Sequence, residues 1–174
     1  MRDISGVKNL INGLTRPNVS TCSQVFSTGS TELDDHLGGG FRREAVHEIF
    51  AADTRQTQSA EGFALGLALR SQPNNLVWVM QTRAFSEAGV PYGPGVEDWG
   101  LQTRSLVLVT VRDAAHLLSA GEEALASGAA DAVLLSAWGD SPAFTLTASR
   151  RLAMAASRGR STGFFVRAAA QPAP

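Results

Sequence analysis

Glu44-Ala45-Val46-His47-Glu48-Ile49-Phe50-Ala51-Ala52-Asp53-Thr54-Arg55-Gln56-Thr57-Gln58-Ser59-Ala60-Glu61-Gly62-Phe63-Ala64-Leu65 is the stretch on which the fold turns. Its first part reads as a strand over 45–50, with Val46, Ile49 and Phe50 as the β-branched and aromatic members. Its second part reads as a helix starting near Thr57. Ala60, Phe63, Ala64, Leu67 and Ala68 recur at the i, i+3, i+4 spacing of one buried face. A strand, a turn and a helix in succession form the frame in which nucleotide-binding folds hold phosphate. They do so with glycines that let backbone N–H groups approach, a Lys, and a hydroxyl for Mg²⁺. The turn over 51–58 contains neither Gly nor Lys. The frame is expected and its chemistry is missing.

Working outward, the pattern repeats. Leu76–Met80 and Ala132–Leu135 are continuous apolar runs, the signature of strands buried on both faces. Leu106–Val111 and Gly163–Val166 read as further strands. Helices are expected over 113–127, with Leu117, Leu118 and Leu125 inward, and over 144–157, with Ala148, Leu152, Ala155 and Ala156 inward. The region 84–100 reads mostly as loop, with a short helix after Pro94. Strands alternating with helices at this spacing predict an α/β fold with a mostly parallel sheet flanked by helices. Upstream, Ser30 or Thr31 can cap a short helix with Leu33 and Leu37 as apolar points. Gly38-Gly39-Gly40 ends it, one Gly taking the left-handed position.

Residues 1–24 read as an N-terminal arm and linker, and 25–174 as the core. Val7, Leu10, Ile11 and Leu14 have 3-4-3 spacing, a short amphipathic helix. Gly6 and Gly13 each weaken it by roughly 1 kcal/mol relative to Ala, so it needs something to pack on: its own core or a neighbour.

The 174 residues suit one domain, and a net charge of −1 supplies no global field for nucleic acid. A lone Cys22 excludes an internal disulfide and a multi-Cys zinc site. No run approaches the ~20 apolar residues that span a bilayer, and the N-terminus lacks the apolar segment of a signal peptide. A cytoplasmic protein without membrane association is expected. His36, His47 and His116 lack the neighbours of a metal site. His47 reads as a packed or edge residue. Asp34-Asp35 reads as a solvated helix face. Arg150, Arg151, Arg158 and Arg160 form a local basic cluster: either solvated helix arginines or a phosphate-contacting patch for single-stranded DNA, whose binding would be salt dependent. Trp78 reads as core. Trp99 and Trp138 read as lining a groove at the strand ends.

Ser27-Thr28-Gly29-Ser30-Thr31-Glu32-Leu33-Asp34-Asp35-His36-Leu37-Gly38-Gly39-Gly40-Phe41, followed by Val46–Phe50, resembles the lead-in to the ATPase core of RecA-like recombinases. Pro91-Tyr92-Gly93-Pro94-Gly95, Gly100-Leu101, Ser105–Val109 and Leu146–Leu152 resemble ImuA-type proteins, RecA-related and induced by DNA damage. The match runs over about 25–166, and the C-terminal extension usual in that family is expected to be missing. The resemblance implies a RecA-like core. It places the leading Gly of the P-loop on Ala51, its Gly-Lys-Thr on Gln56-Thr57-Gln58, the metal-binding Asp on Ser136 and the catalytic Glu near Thr82. Every chemical position is lost, and the sole Lys of the chain is Lys8. The implied protein is therefore a pseudo-ATPase with no bound cofactor and no metal. It would be an accessory subunit in SOS-induced, error-prone translesion DNA synthesis, mutagenic in outcome, acting by protein–protein contact. The implied partners are an ImuB-like, Y-family-related protein, the error-prone DNA polymerase III α-subunit and RecA itself, with single-stranded DNA a further candidate. By analogy with RecA filaments, the arm residues Val7, Leu10, Ile11 and Leu14 would dock on a neighbouring copy. Two alternatives stand beside this reading: a divergent RecA-superfamily ATPase, and a SulA-like damage-induced inhibitor of cell division.

Overall fold

The computed structural model describes residues 24–51 and 53–170. The amphipathic arm over 7–14 and Cys22 lie outside the described residues. The chain runs β1 (Val25–Phe26), α1 (Thr31–His36), β2 (Phe41–Arg42), β3 (Val46–Phe50), a 3-10 turn (Thr54–Gln56), α2 (Thr57–Arg70), β4 (Leu76–Gln81), α3 (Thr82–Ala88) and α4 (Gly93–Asp98). A second 3-10 turn (Thr103–Ser105), β5 (Leu106–Val111), α5 (Ala114–Ala126), β6 (Ala132–Trp138), α6 (Leu146–Gly159) and β7 (Thr162–Ala168) follow.

Five strands form one sheet in the spatial order β3-β7-β6-β4-β5, every pair parallel. This is the expected α/β architecture. The run Leu76–Gln81 is buried at every residue, because the interior strand β4 is covered on both faces. On one face α5 and α6 close over Val77, Val79, Val133, Leu135 and Phe165. On the other, α2 and Val96 of α4 cover Leu76, Trp78, Met80, Leu134 and Phe164. Gly159 is where α6 leans hardest on α5: a Cβ there would lie 1.9 Å from the Leu125 carbonyl oxygen.

The lead-in segment is held by polar bonds rather than by burial. The Asp34 carboxylate accepts hydrogen bonds from the Thr28 N–H (2.8 Å), the Thr28 hydroxyl (2.7 Å) and the Ser27 hydroxyl. These bonds, that from Ser27 foremost, hold its carboxyl below the usual carboxylate range. Ser30 caps α1 as expected, and Gly38 takes the left-handed position at its end. Gly40 has a steric duty: a Cβ would meet the Phe26 carbonyl oxygen at 2.2 Å, where β2 pairs with β1.

The structure corrects the sequence reading at several points. The antiparallel pair β1–β2 was not anticipated, since two-residue strands leave no periodic signal. Leu37, read as an apolar point of α1, is 43% exposed, and α1 has no buried residue. Residues 84–100 carry two helices; Pro94 sits in the first turn of α4, where its missing N–H costs no bond. Phe63, expected on the buried face of α2, is 49% exposed. That face is instead Thr57, Ala60, Glu61, Ala64, Leu65, Leu67 and Ala68.

Candidate functional site at the strand–helix junction

The residues 51–58 bridge β3 and α2 at the C-terminal edge of the parallel sheet, where open α/β sheets bind ligands. Ala51 is buried, and its N–H donates to the Arg167 carbonyl (3.2 Å), prolonging the sheet rather than turning toward a ligand. Asp53 then caps the 3-10 turn that follows. Its Oδ1 accepts from the N–H of Arg55 (2.8 Å) and of Gln56 (3.2 Å), and its Oδ2 pairs with the Arg55 guanidinium (3.1 Å). A helix entrance attracts anions because its first N–H groups lack partners. Here an internal carboxylate caps the Arg55 and Gln56 N–H groups of the 3-10 turn that leads into α2, and it places a negative charge at that entrance.

The remaining positions are also committed. The Thr57 hydroxyl donates to the Thr54 carbonyl (2.8 Å) and is buried; the Gln58 amide reaches the Ala88 carbonyl (3.2 Å) at the end of α3. Ser136 lies within β6, two residues before its end, rather than following the strand as expected. Its hydroxyl accepts from the Trp78 indole N–H (2.9 Å) and is 1% exposed. Thr82 opens α3, and its hydroxyl donates to the Val111 carbonyl (3.0 Å).

Beneath the junction lies a buried acid that the sequence reading did not single out. Glu61, one turn after Thr57, is 7% exposed and lies beside the Ser136 hydroxyl. Its Oε1 has no partner. Burial pushes its carboxyl above the ordinary glutamate value, and the Ser136 hydroxyl only partly offsets that. The bonded pair Trp78–Ser136 and the neighbouring Glu61 thus form a small polar cluster inside an apolar layer. Its sequence signal was the i+4 position of Glu61 relative to Thr57, beside Ala60 and Ala64.

At the far side of β7, Arg167 reaches Asp140 (3.0 Å) and Glu48 (3.7 Å) and lies over the rings of Phe50 and Phe144. It ties β3 to the loop after β6. Trp138 does lie at the strand ends, its N–H donating to the Gln81 side chain (2.7 Å). Trp99 does not: it stands over Gly66 on the outer side of α2.

The basic cluster is divided. Arg151 pairs with Glu122 of α5, and Arg160, left-handed at the end of α6, pairs with Glu44 (3.2 Å). Arg150 and Arg158 are exposed. His47 is an edge-strand residue, as read: its Nε2 bonds the Arg42 carbonyl (2.8 Å), its ring packs on Phe41, and burial lowers its pKa. His116 bonds Asp113, the cap of α5 (2.8 Å), and His36 bonds the Glu32 carbonyl (2.8 Å). Among the described residues no group of three or more His, Cys, Asp or Glu could hold a metal. No described helix is long and apolar enough to cross a membrane.

No family model matches the chain, and no curated protein matches it. Among solved structures, the crystal structure of SulA from Pseudomonas aeruginosa is similar, with a TM-score of 0.49 and 16% identity, over 71% of this chain and 97% of that one. A likeness of that degree assigns neither a family nor an activity.

Proposed function

We propose that this chain is a RecA-like scaffold that has given up nucleotide chemistry and works by binding other macromolecules. The observation that supports it is the Asp53 carboxylate seated on the Arg55 and Gln56 N–H groups. A phosphate-gripping turn offers its amides and a Lys to an anion. This turn spends two amides on its own acid, and Ser136 gives its oxygen to an indole instead of a cation. The sequence resemblance extends the reading to an ImuA-type accessory role in damage-induced translesion synthesis, with an ImuB-like protein and the error-prone polymerase α-subunit as partners.

Titration calorimetry with ATP and Mg²⁺ tests the first part. No heat of binding and no phosphate release are expected; micromolar affinity with turnover would establish a divergent ATPase. A pull-down with the full chain tests the second part. Retention of the translesion polymerase pair supports the accessory role, whereas retention of the division GTPase alone assigns a SulA-like inhibitor.

A further inference from the structure

Helix α2 is apolar on two sides. The inner one is buried against the sheet; the outer one bears Gly62, Phe63 and Gly66, a second stripe at i, i+1 and i+4. A groove of about 520 Å³ runs along it, walled by Trp99 and ending at Thr28 and Arg70. Phe63 is 49% and Trp99 57% exposed. The floor is set low by the glycines: a Cβ on Gly62 would meet nothing within 4 Å, and one on Gly66 only Trp99 at 3.9 Å. An apolar groove floored by glycine lets another helix approach closely, because interaxial distance follows the side chains at the contact.

We propose that the groove is the seat of this chain's own N-terminal arm, with Val7, Leu10, Ile11 and Leu14 facing Gly62, Phe63, Gly66 and Trp99. The described chain passes the groove's end four residues after its start at Gln24: Thr28 lines the groove, and the Arg70 Nε–H donates to the Ser27 carbonyl at 3.0 Å. Residues 1–23 lie outside the described structure, and the arm motif falls among them. An eight-residue helix over 7–14 is about 12 Å long, and the stripe from Ser59 to Arg70 about 17 Å. The ten residues over 15–24 extend at most about 35 Å, so the arm reaches either end of the groove unstretched. Tethering raises the arm's effective concentration to the order of mM, which favours the chain's own arm over that of a second copy at micromolar protein. The arm motif, weakened by two glycines, and the outer stripe of α2, without a partner among the described residues, each supply what the other lacks. This seat is independent of what the strand–helix junction binds.

The test is photo-crosslinking of the full chain with Leu10 replaced by p-benzoyl-phenylalanine. The expected product has monomer mass, with the crosslink mapped to residues 59–70 or to Trp99. Gly66→Leu fills the groove, and its melting curve reports that the fold persists; in that background the crosslink should fall at least tenfold. A dimer-mass product would hand the groove to a second copy's arm and overturn the proposal. So would crosslinks mapping elsewhere, no crosslink at all, or an undiminished crosslink in a folded Gly66→Leu variant.

Discussion

The two faces of the sheet are built by the same rules and obey them to different degrees. Over the α5–α6 face, most of the apolar residues read from spacing go inward: Leu117, Leu125 and Leu152 are at most 2% exposed, while Leu118 and Ala148 are half-buried. Over the α2 face, the same spacing fails at two places two residues apart. Glu61 goes in and Phe63 stays out. The regular face carries the packing of the domain. The irregular one adjoins the junction where a nucleotide-binding fold does its work, and local rules tend to fail where function is or was.

That contrast can be broken most forcefully on the regular face. Leu152→Ala should cost about 2–5 kcal/mol in denaturant melts, since its site among Leu117, Ala155 and Phe165 leaves a cavity. A loss near zero would mean that this face is loosely packed and the distinction empty.

The next effect is a pH dependence on the α2 face. Glu61 has a folded pKa above its unfolded one, so the native state holds more protons and stability falls as pH rises from the ordinary glutamate value through the raised one. Glu61→Gln removes that titration. Its melting temperature should gain on the parent as pH climbs from 4 to 7. Parallel curves would show that burial of the acid is not what sets the two faces apart.

The smallest effect is at the turn itself. Asp53→Ala frees the Arg55 N–H, while that of Gln56 keeps the residue-53 carbonyl (3.1 Å), and should cost about 1 kcal/mol as the loss of an N-terminal cap. An unchanged melt would mean that the carboxylate does not hold the turn.

Much of this was legible in the sequence. Buried strands announced themselves as apolar runs at Leu76 and Ala132, and the alternation with helices dictated a parallel sheet. The bridging of β3 and α2 by 51–58 was readable from the switch in periodicity. Phe63 was not, because helical spacing marks α2 as apolar without saying which of its two apolar sides meets the sheet. The role of Asp53 follows from its place before a 3-10 turn, which no pattern of apolar residues marks. Arg167 gave no signal because its partners, Glu48 and Asp140, lie in other elements and meet it only when the sheet is assembled.

The central proposal is that the junction between β3 and α2 does not grip a phosphate. A crystal of the full chain soaked with a non-hydrolysable ATP analogue and Mg²⁺ addresses it directly. The expected result is no triphosphate over this turn, with the Asp53 carboxylate still on the Arg55 and Gln56 N–H groups. Triphosphate density against those two amides, with Asp53 swung aside, would contradict it.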